Sequence, residues 1–440
     1  MMNAPVSHDI PLPLPAPAAF LKVLLVVSFI AHILFVNLMV GGTLLTLFYE
    51  WRGRANRKWD RVAFEIARTV TVNKSLAVVL GVAPLLLINV LYTVWFYSSN
   101  ALTGTAWIMI IPLVIAAFLL TYLHQYSWER LRDHKAIHLS IVAGAAALFL
   151  MVPLIFLVNI NLMLFPERWL EVHGFFSALA LPNVFPRYFH FLLASIAVTA
   201  IFLVGWASRK GCGLHVLVED QGGLLRKEFY SICLVASAAQ FLIGPVVLMT
   251  LPSQGLSFGL LISISCGVAL AIPALLLIWK EIQRPETFSK GRYASIVLLL
   301  FGTVLFMASG RHLYRETALR PHQEAMRIKT EQYQAAVESA KKAKPSFAAL
   351  DAGASAGRGK KLFQTCSACH ALDHRVVGPP LFEIARIYAG NPSGIVAWAK
   401  APGKKRPDFP QMPAMSPMFS DSDLLEIANY ILDSANRGAL

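Results

Sequence analysis

The chain has 440 residues, of which 56% are hydrophobic and only 15% charged, with a mean hydropathy of +0.57. Thirty-nine Lys and Arg against 25 Asp and Glu give a formal charge of +14. So apolar a composition excludes an ordinary soluble protein, and the basic residues sit in short loops with no aromatic-interleaved basic face, which excludes nucleic acid as a partner.

Apolar runs long enough to cross a bilayer recur along roughly the first 310 residues. The hydrophobic pattern predicts eight helices, at 20–49, 75–97, 105–127, 136–165, 187–207, 229–251, 257–279 and 291–311. The first is longer than the apolar core of a signal peptide and is followed by no small-residue cleavage site, so it reads as an uncleaved span. No internal repeat is visible. Basic residues gather after odd-numbered spans: Arg52, Arg54, Arg57, Lys58 and Arg61, then Arg130, Arg132 and Lys135. Arg209, Lys210, Arg226 and Lys227 follow the fifth span, and Lys280, Arg284, Lys290 and Arg292 the seventh. The loops 98–105 and 252–256 carry no charge. The positive-inside rule makes the first set cytoplasmic, which puts both termini on the periplasmic side of a bacterial inner membrane.

Ionisable side chains inside spans are expensive and mark function. His32 lies deep in the first span and His190 near the outer end of the fifth. For each alone, ligation of a b-type haem and a hydrogen-bonded core histidine are equal alternatives. Arg187 and Arg311, at outer span ends, are candidate partners for haem propionates, since a guanidinium pairs bidentately with a carboxylate; interfacial snorkelling is the competing account. For an open haem position His312 ranks ahead of Met39, Met163, Met249 and Met307. His124 and His138, near the cytoplasmic surface, and His173, in an outer loop, are assigned solvated or capping roles. Cys233 and Cys266 read as packing residues and Cys212 as a reduced loop thiol.

Residues 312–352 are charged and rich in Ala, Gln and Glu up to about Lys344. They predict a helix standing off the membrane, ended by Pro345 and followed by a flexible tether at 352–357. Beyond it comes Cys366-Ser-Ala-Cys369-His370. A C-x-x-C-H run reads as the attachment site of one covalent c-type haem, with both sulfurs bonded to the porphyrin and His370 on the iron. A zinc site would need further ligands, and only His374 is at hand. Ser420 and Asp423 form a capping box for the terminal helix.

On these motifs, residues 353–440 resemble class I cytochrome c. The resemblance implies a methionine as the sixth iron ligand on the loop before the last helix; Met412 matches, and Met415 is the alternative. Residues 20–312 resemble subunit I of the cytochrome bd quinol oxidase family. His32-Ile-Leu34-Phe35-Val36-Asn-Leu38-Met-Val-Gly41 matches the segment carrying its high-spin haem histidine, and His190, followed by Ala194-Ser195, matches the low-spin one. Trp95 to Ser98 and Gly310-Arg311 echo further segments. Four departures stand out. The long quinol-binding loop shrinks to 252–256; an oxygen-site glutamate appears as Ala308 and a haem methionine as Ser263. No Asp or Glu occurs between Glu65 and Glu129.

The expected architecture is therefore all-α: a transmembrane bd-like bundle over 1–311, a helical stalk and linker over 312–352, and a periplasmic cytochrome c domain over 353–440. The expected cofactors are one haem c and one or two haems b, with no haem d. The expected function is electron transfer between membrane haems, fed by the quinone pool or a partner subunit in the lipid, and a periplasmic donor or acceptor. The alternatives are a bd-like terminal oxidase fed by cytochrome c, which the missing acidic groups disfavour, and a haem-bearing anchor subunit of a larger periplasmic oxidoreductase.

Overall fold

The computed structural model describes residues 9, 13–343, 355–404 and 410–437. The chain divides into two compact units, Met1–Ala335 and Ala336–Leu440. The described residues are almost all helical, and the first unit is an antiparallel bundle. Its helices are α1 (Ala18–Gly53), α2 (Arg57–Leu91), α3 (Thr93–Thr103), α4 (Thr105–Tyr126), α5 (Lys135–Leu162), the short α6 (Phe175–Leu179), α7 (Val184–Ala207), α8 (Gly213–Asp220), α9 (Leu224–Met249), α10 (Phe258–Ile282) and α11 (Lys290–Ala343). In the second unit, α12 (Ser355–Phe363), α13 (Leu381–Ile387), α14 (Pro392–Lys400) and α15 (Asp421–Arg437) enclose a small core.

Among the described residues, seven helices are long and apolar enough to cross a membrane; an eighth crossing requires α2 and α3 together. That pair departs from the straight span expected at 75–97. The chain bends by 111° between them, because Tyr92 leaves the helical region at φ −134° and ψ 39°. Its ring is buried and its hydroxyl donates to Glu316, so the polar tip is satisfied in the bent conformation. Prolines lie inside α2, α4, α5, α9 and α10, which membrane helices tolerate when neighbours re-satisfy the freed backbone groups. Val79, Ile108, Ile111, Leu119, Leu242 and Leu298 point outward, each more than 60% exposed, as a lipid-facing surface requires.

We call the end of the bundle at which α1 begins the upper end. The core has two main layers. The lower one joins Tyr49, Ile66, Val204, Phe229 and Ile278; the upper one joins Trp95, Phe96, Ile160, Met163, Trp169 and Leu260. Helices α1 and α7 run parallel and touch closely. Ser195 donates to Asn37 Oδ1 at 3.0 Å and Thr199 to the Asn37 carbonyl at 3.1 Å, while a methyl group at Gly41 would collide with the Ser195 carbonyl.

The segment expected to form a stalk is helical, and its first half is packed on the bundle. Helix α11 runs unbroken for 54 residues through Pro321, about 81 Å, and its segment from Tyr314 to Thr330 packs on the upper end of the bundle. Tyr314, Ala318, Leu319, His322 and Met326 are buried there. Tyr314 donates to the Pro252 carbonyl at 2.9 Å, and Thr330 accepts from the Asp9 amide at 3.0 Å. The apolar and aromatic residues spaced along this stretch were outweighed in the sequence by its charge. The division between the two compact units, at 335, falls within the expected stalk and linker of 312–352. Pro345 and the start of the expected tether lie outside the described residues.

In the second unit α12 crosses α15 so closely that a methyl group at Gly359 would sit 2.8 Å from Tyr430 Cβ. Phe363, Leu381, Ile395, Leu424, Ile427, Ala428 and Ile431 fill the core. Asp423 N and Ser420 N each bond the other's side chain at 3.2 Å, the expected capping box.

Candidate functional site

In the second unit the motif forms a tight turn. Cys369 N and His370 N both donate to the Cys366 carbonyl, at 3.1 and 3.0 Å. His370 Nδ1 donates to the Pro379 carbonyl at 2.7 Å. A carbonyl can only accept, so the proton sits on Nδ1 and the lone pair on Nε2, the state an iron ligand needs. Gly378 makes room for the ring: a Cβ there would lie 2.8 Å from Nδ1 and 2.9 Å from Nε2. Cys366, Met412 and Met415 pack against the same core, whereas Met418 is 63% exposed and turned away from it. Met412 also lines an open cleft with Ala401, Pro402, Gly403 and Gln411. Burial and the neighbouring Cys369 push the Cys366 thiol up, so the attachment sulfur is held as a neutral thiol before it bonds. The donor set and its cradle fit a covalent haem.

In the bundle, His32 Nδ1 donates to the Ala77 carbonyl at 2.8 Å, which again leaves Nε2 with the lone pair. Gly81 faces the ring, and a Cβ there would lie 2.8 Å from His32 Cε1. His32 precedes Asn37 by five residues and His190 precedes Ser195 by five, and Asn37 and Ser195 touch. On two parallel helices this sets both imidazoles at one level, about 7.5 Å above that contact.

Arg187, one turn above His190 on α7, and Arg311 on α11 lie close enough to each other and to Arg315 for their charges to repel. Arg187 Nη1 and Arg311 Nε are buried without a hydrogen-bond partner. Arg311 stacks over the Phe29 ring at 4.7 Å and Arg315 over Tyr92 at 5.2 Å. These buried nitrogens are turned inward, the opposite of snorkelling. Two unpartnered guanidiniums in an apolar bundle call for an anion, and a haem's two propionates fit. His312 is half-buried with Nδ1 unpartnered. Ser263 donates to the Phe306 carbonyl at 2.7 Å, so its hydroxyl is spent on helix packing.

The sequence model of the Cytochrome c family matches residues 356–435. Among solved structures, the chain is similar to the bd oxidase from Geobacillus thermodenitrificans, with 12% identity and a TM-score of 0.50, over 68% of this chain and 86% of that one. The chain joins a bd-oxidase fold to a cytochrome c domain. No curated protein matches it in sequence. The likeness to the oxidase is one of fold. The cytochrome c domain implies a covalent haem c, and the bundle is that of a membrane protein.

One cluster in the bd-like bundle escaped the sequence reading. His124 and His138, expected in solvated or capping roles, are 2% and 0% exposed and converge on Glu50, itself 1% exposed. His124 Nε2 donates to Glu50 Oε2 at 2.6 Å, His138 Nδ1 to Glu50 Oε1, and His138 Nε2 to the His124 carbonyl at 2.9 Å. The available signal was the alignment of Glu50 with His32, Thr43 and Thr46 on one face of α1, all but His32 buried polar positions. His173, by contrast, is exposed, in keeping with its expected loop role. Above the bundle, His322 faces Glu167 at 3.4 Å. Burial acts to raise Glu167, but the neighbouring His322 and Arg168 outweigh it and hold the carboxyl below its ordinary range.

Proposed function

We propose that the chain is a membrane-bound b/c-type cytochrome that carries electrons in a respiratory chain. In this reading His32 and His190 hold one or two haems b, Arg187 and Arg311 pair with propionates, and His312 is the reserve ligand. Cys366 and Cys369 fasten haem c, with His370 and Met412 on its iron and Met415 as the alternative. Bound haem supplies reversible one-electron chemistry, and a thioether ligand raises its potential. The protein's own residues fix the tautomer of each imidazole, hold compensating charge, and exclude water.

The observation that carries the reading is the inward-facing, anion-free guanidinium pair above two imidazoles at a common level. A bundle gains nothing from leaving such charges unpaired, because uncompensated buried charge costs several kcal/mol. The upper end faces the periplasm in this proposal, with both termini there. The membrane donor is a quinol or a partner subunit in the lipid, and the periplasmic partner exchanges electrons with the c-domain. The test uses the full chain in liposomes with a lipid-soluble quinol. Haem c is expected to become reduced in the parent protein and to stay oxidised in His190→Ala, which still binds haem c. Equal reduction in both would refute a route through the bundle.

A further inference from the structure

We propose that Glu50, His124 and His138 bind one divalent first-row metal ion, zinc by their donor set, that ties α1, α4 and α5 together at the lower end of the bundle. The site is separate from the proposed haem ligands: Glu50 follows His32 by 18 residues of one helix, about 27 Å. One donor residue comes from each of three helices, and the ligating atoms all lie within 4.8 Å of one another.

Three features fit a metal. First, the carboxylate spans the two imidazoles, Oε2 toward His124 Nε2 and Oε1 toward His138 Nδ1. Two imidazole nitrogens and one carboxylate oxygen make a three-residue donor set of the His2Glu kind that zinc takes, with the fourth position left to a small ligand such as water. Second, His138 gives its other ring proton to the His124 carbonyl at 2.9 Å. Such an outer contact fixes the tautomer and turns Nδ1 toward the centre, as metal-bound histidines require. Third, the site is dry and stiff. Trp128 sets its ring edge-on to both imidazoles, with centroids 5.1 and 4.7 Å away.

The surrounding charge also allows it. Lys135 lies 3.9 Å from Glu50 Oε1, but its ammonium is engaged at 2.6 Å by Asp60. That pair is neutral together, so an incoming ion meets the Glu50 carboxylate. Donors around zinc at about 2.0–2.2 Å stand roughly 3.3 Å apart in a tetrahedron, so the Glu50 contacts open slightly on binding.

The test is a metal count on the full chain, purified in detergent without chelator or metal-affinity resin. Elemental analysis is expected to find, beyond haem iron, one equivalent of zinc or another divalent first-row metal per chain. Glu50→Gln and His138→Asn should retain less than a tenth of it while keeping the haem spectrum. In a second arm, zinc chloride is added to chelator-treated parent protein and the thermal midpoint of the bundle is followed. It should rise in the parent and stay unchanged in Glu50→Gln. Iron alone in the parent, together with no response to added zinc at about 100 μM, would overturn the proposal and leave a proton-bridged cluster complete in itself. The two parent-protein measurements decide the matter even if the variants fail to fold.

Discussion

Replacing Gly378 by alanine probes how the c-domain holds its proximal histidine. The added methyl would sit 2.8 Å from His370 Nδ1 and 2.9 Å from Nε2, where ordinary contact begins at 3.4 Å. His370 Cε1 is nearer still, so ring or backbone must yield by about an ångström, and the 2.7 Å bond from Nδ1 to the Pro379 carbonyl is the first thing to give. Losing that bond costs about 1 kcal/mol, and overpacking of this kind adds about 1–3 kcal/mol. For a domain of this size each kcal/mol lowers the melting midpoint by about 4–8 °C. The full-length variant should therefore lose its haem c ligation on heating some 10–30 °C below the parent, with a shifted haem c midpoint potential. The assay is visible absorption during a thermal ramp, paired with a redox titration. A variant that melts within about 2 °C of the parent at an unchanged potential would refute the close Gly378–His370 contact.

Met412→Leu should lower the haem c potential by removing a thioether ligand, while Met415→Leu should leave it within experimental error; redox titration decides, and the reverse pattern would move the ligand to Met415. Arg311→Gln removes a buried cation, and a unit charge about 10 Å from a redox centre is worth about 1.7 kcal/mol at an effective dielectric of 20; the membrane haem potential should fall by tens of millivolts, read by potentiometry. Ser420→Ala breaks the capping box and should destabilise the c-domain by about 1 kcal/mol in a denaturant titration. Asp423 is held below the ordinary carboxylate range, chiefly by the Ser420 hydroxyl and then by Arg358. Its stabilising contribution is full above the unfolded value and vanishes as pH falls through the depressed folded value. Asp423→Asn should flatten that acid loss in a pH series of thermal melts.

The c-domain was legible because its chemistry is local. Two cysteines, a histidine and a capping box lie close in sequence, and the structure adds only what folding brings from farther off, such as Gly378 and Pro379 against His370. The spans were legible because bilayer thickness fixes their length. What the sequence hid was side-chain pairing between helices. The bend at Tyr92 depends on Glu316, more than two hundred residues away, and no pattern around Tyr92 announces it. The stalk looked solvated because its charges dominate its composition, yet Lys22 meets Glu316 at 2.5 Å and His322 meets Glu167. A charged helix with partners reads like one without. Glu50, His124 and His138 were missed for the same reason: each is near a helix end, where a lone titratable residue ordinarily faces water.

The central claim is that iron porphyrin is held in the bundle as well as in the c-domain. A pyridine haemochrome assay on the purified full chain counts each haem type per polypeptide. The account predicts one haem c and one or two haems b, with no haem d. A spectrum of haem c alone would contradict it and reduce the bundle to an anchor.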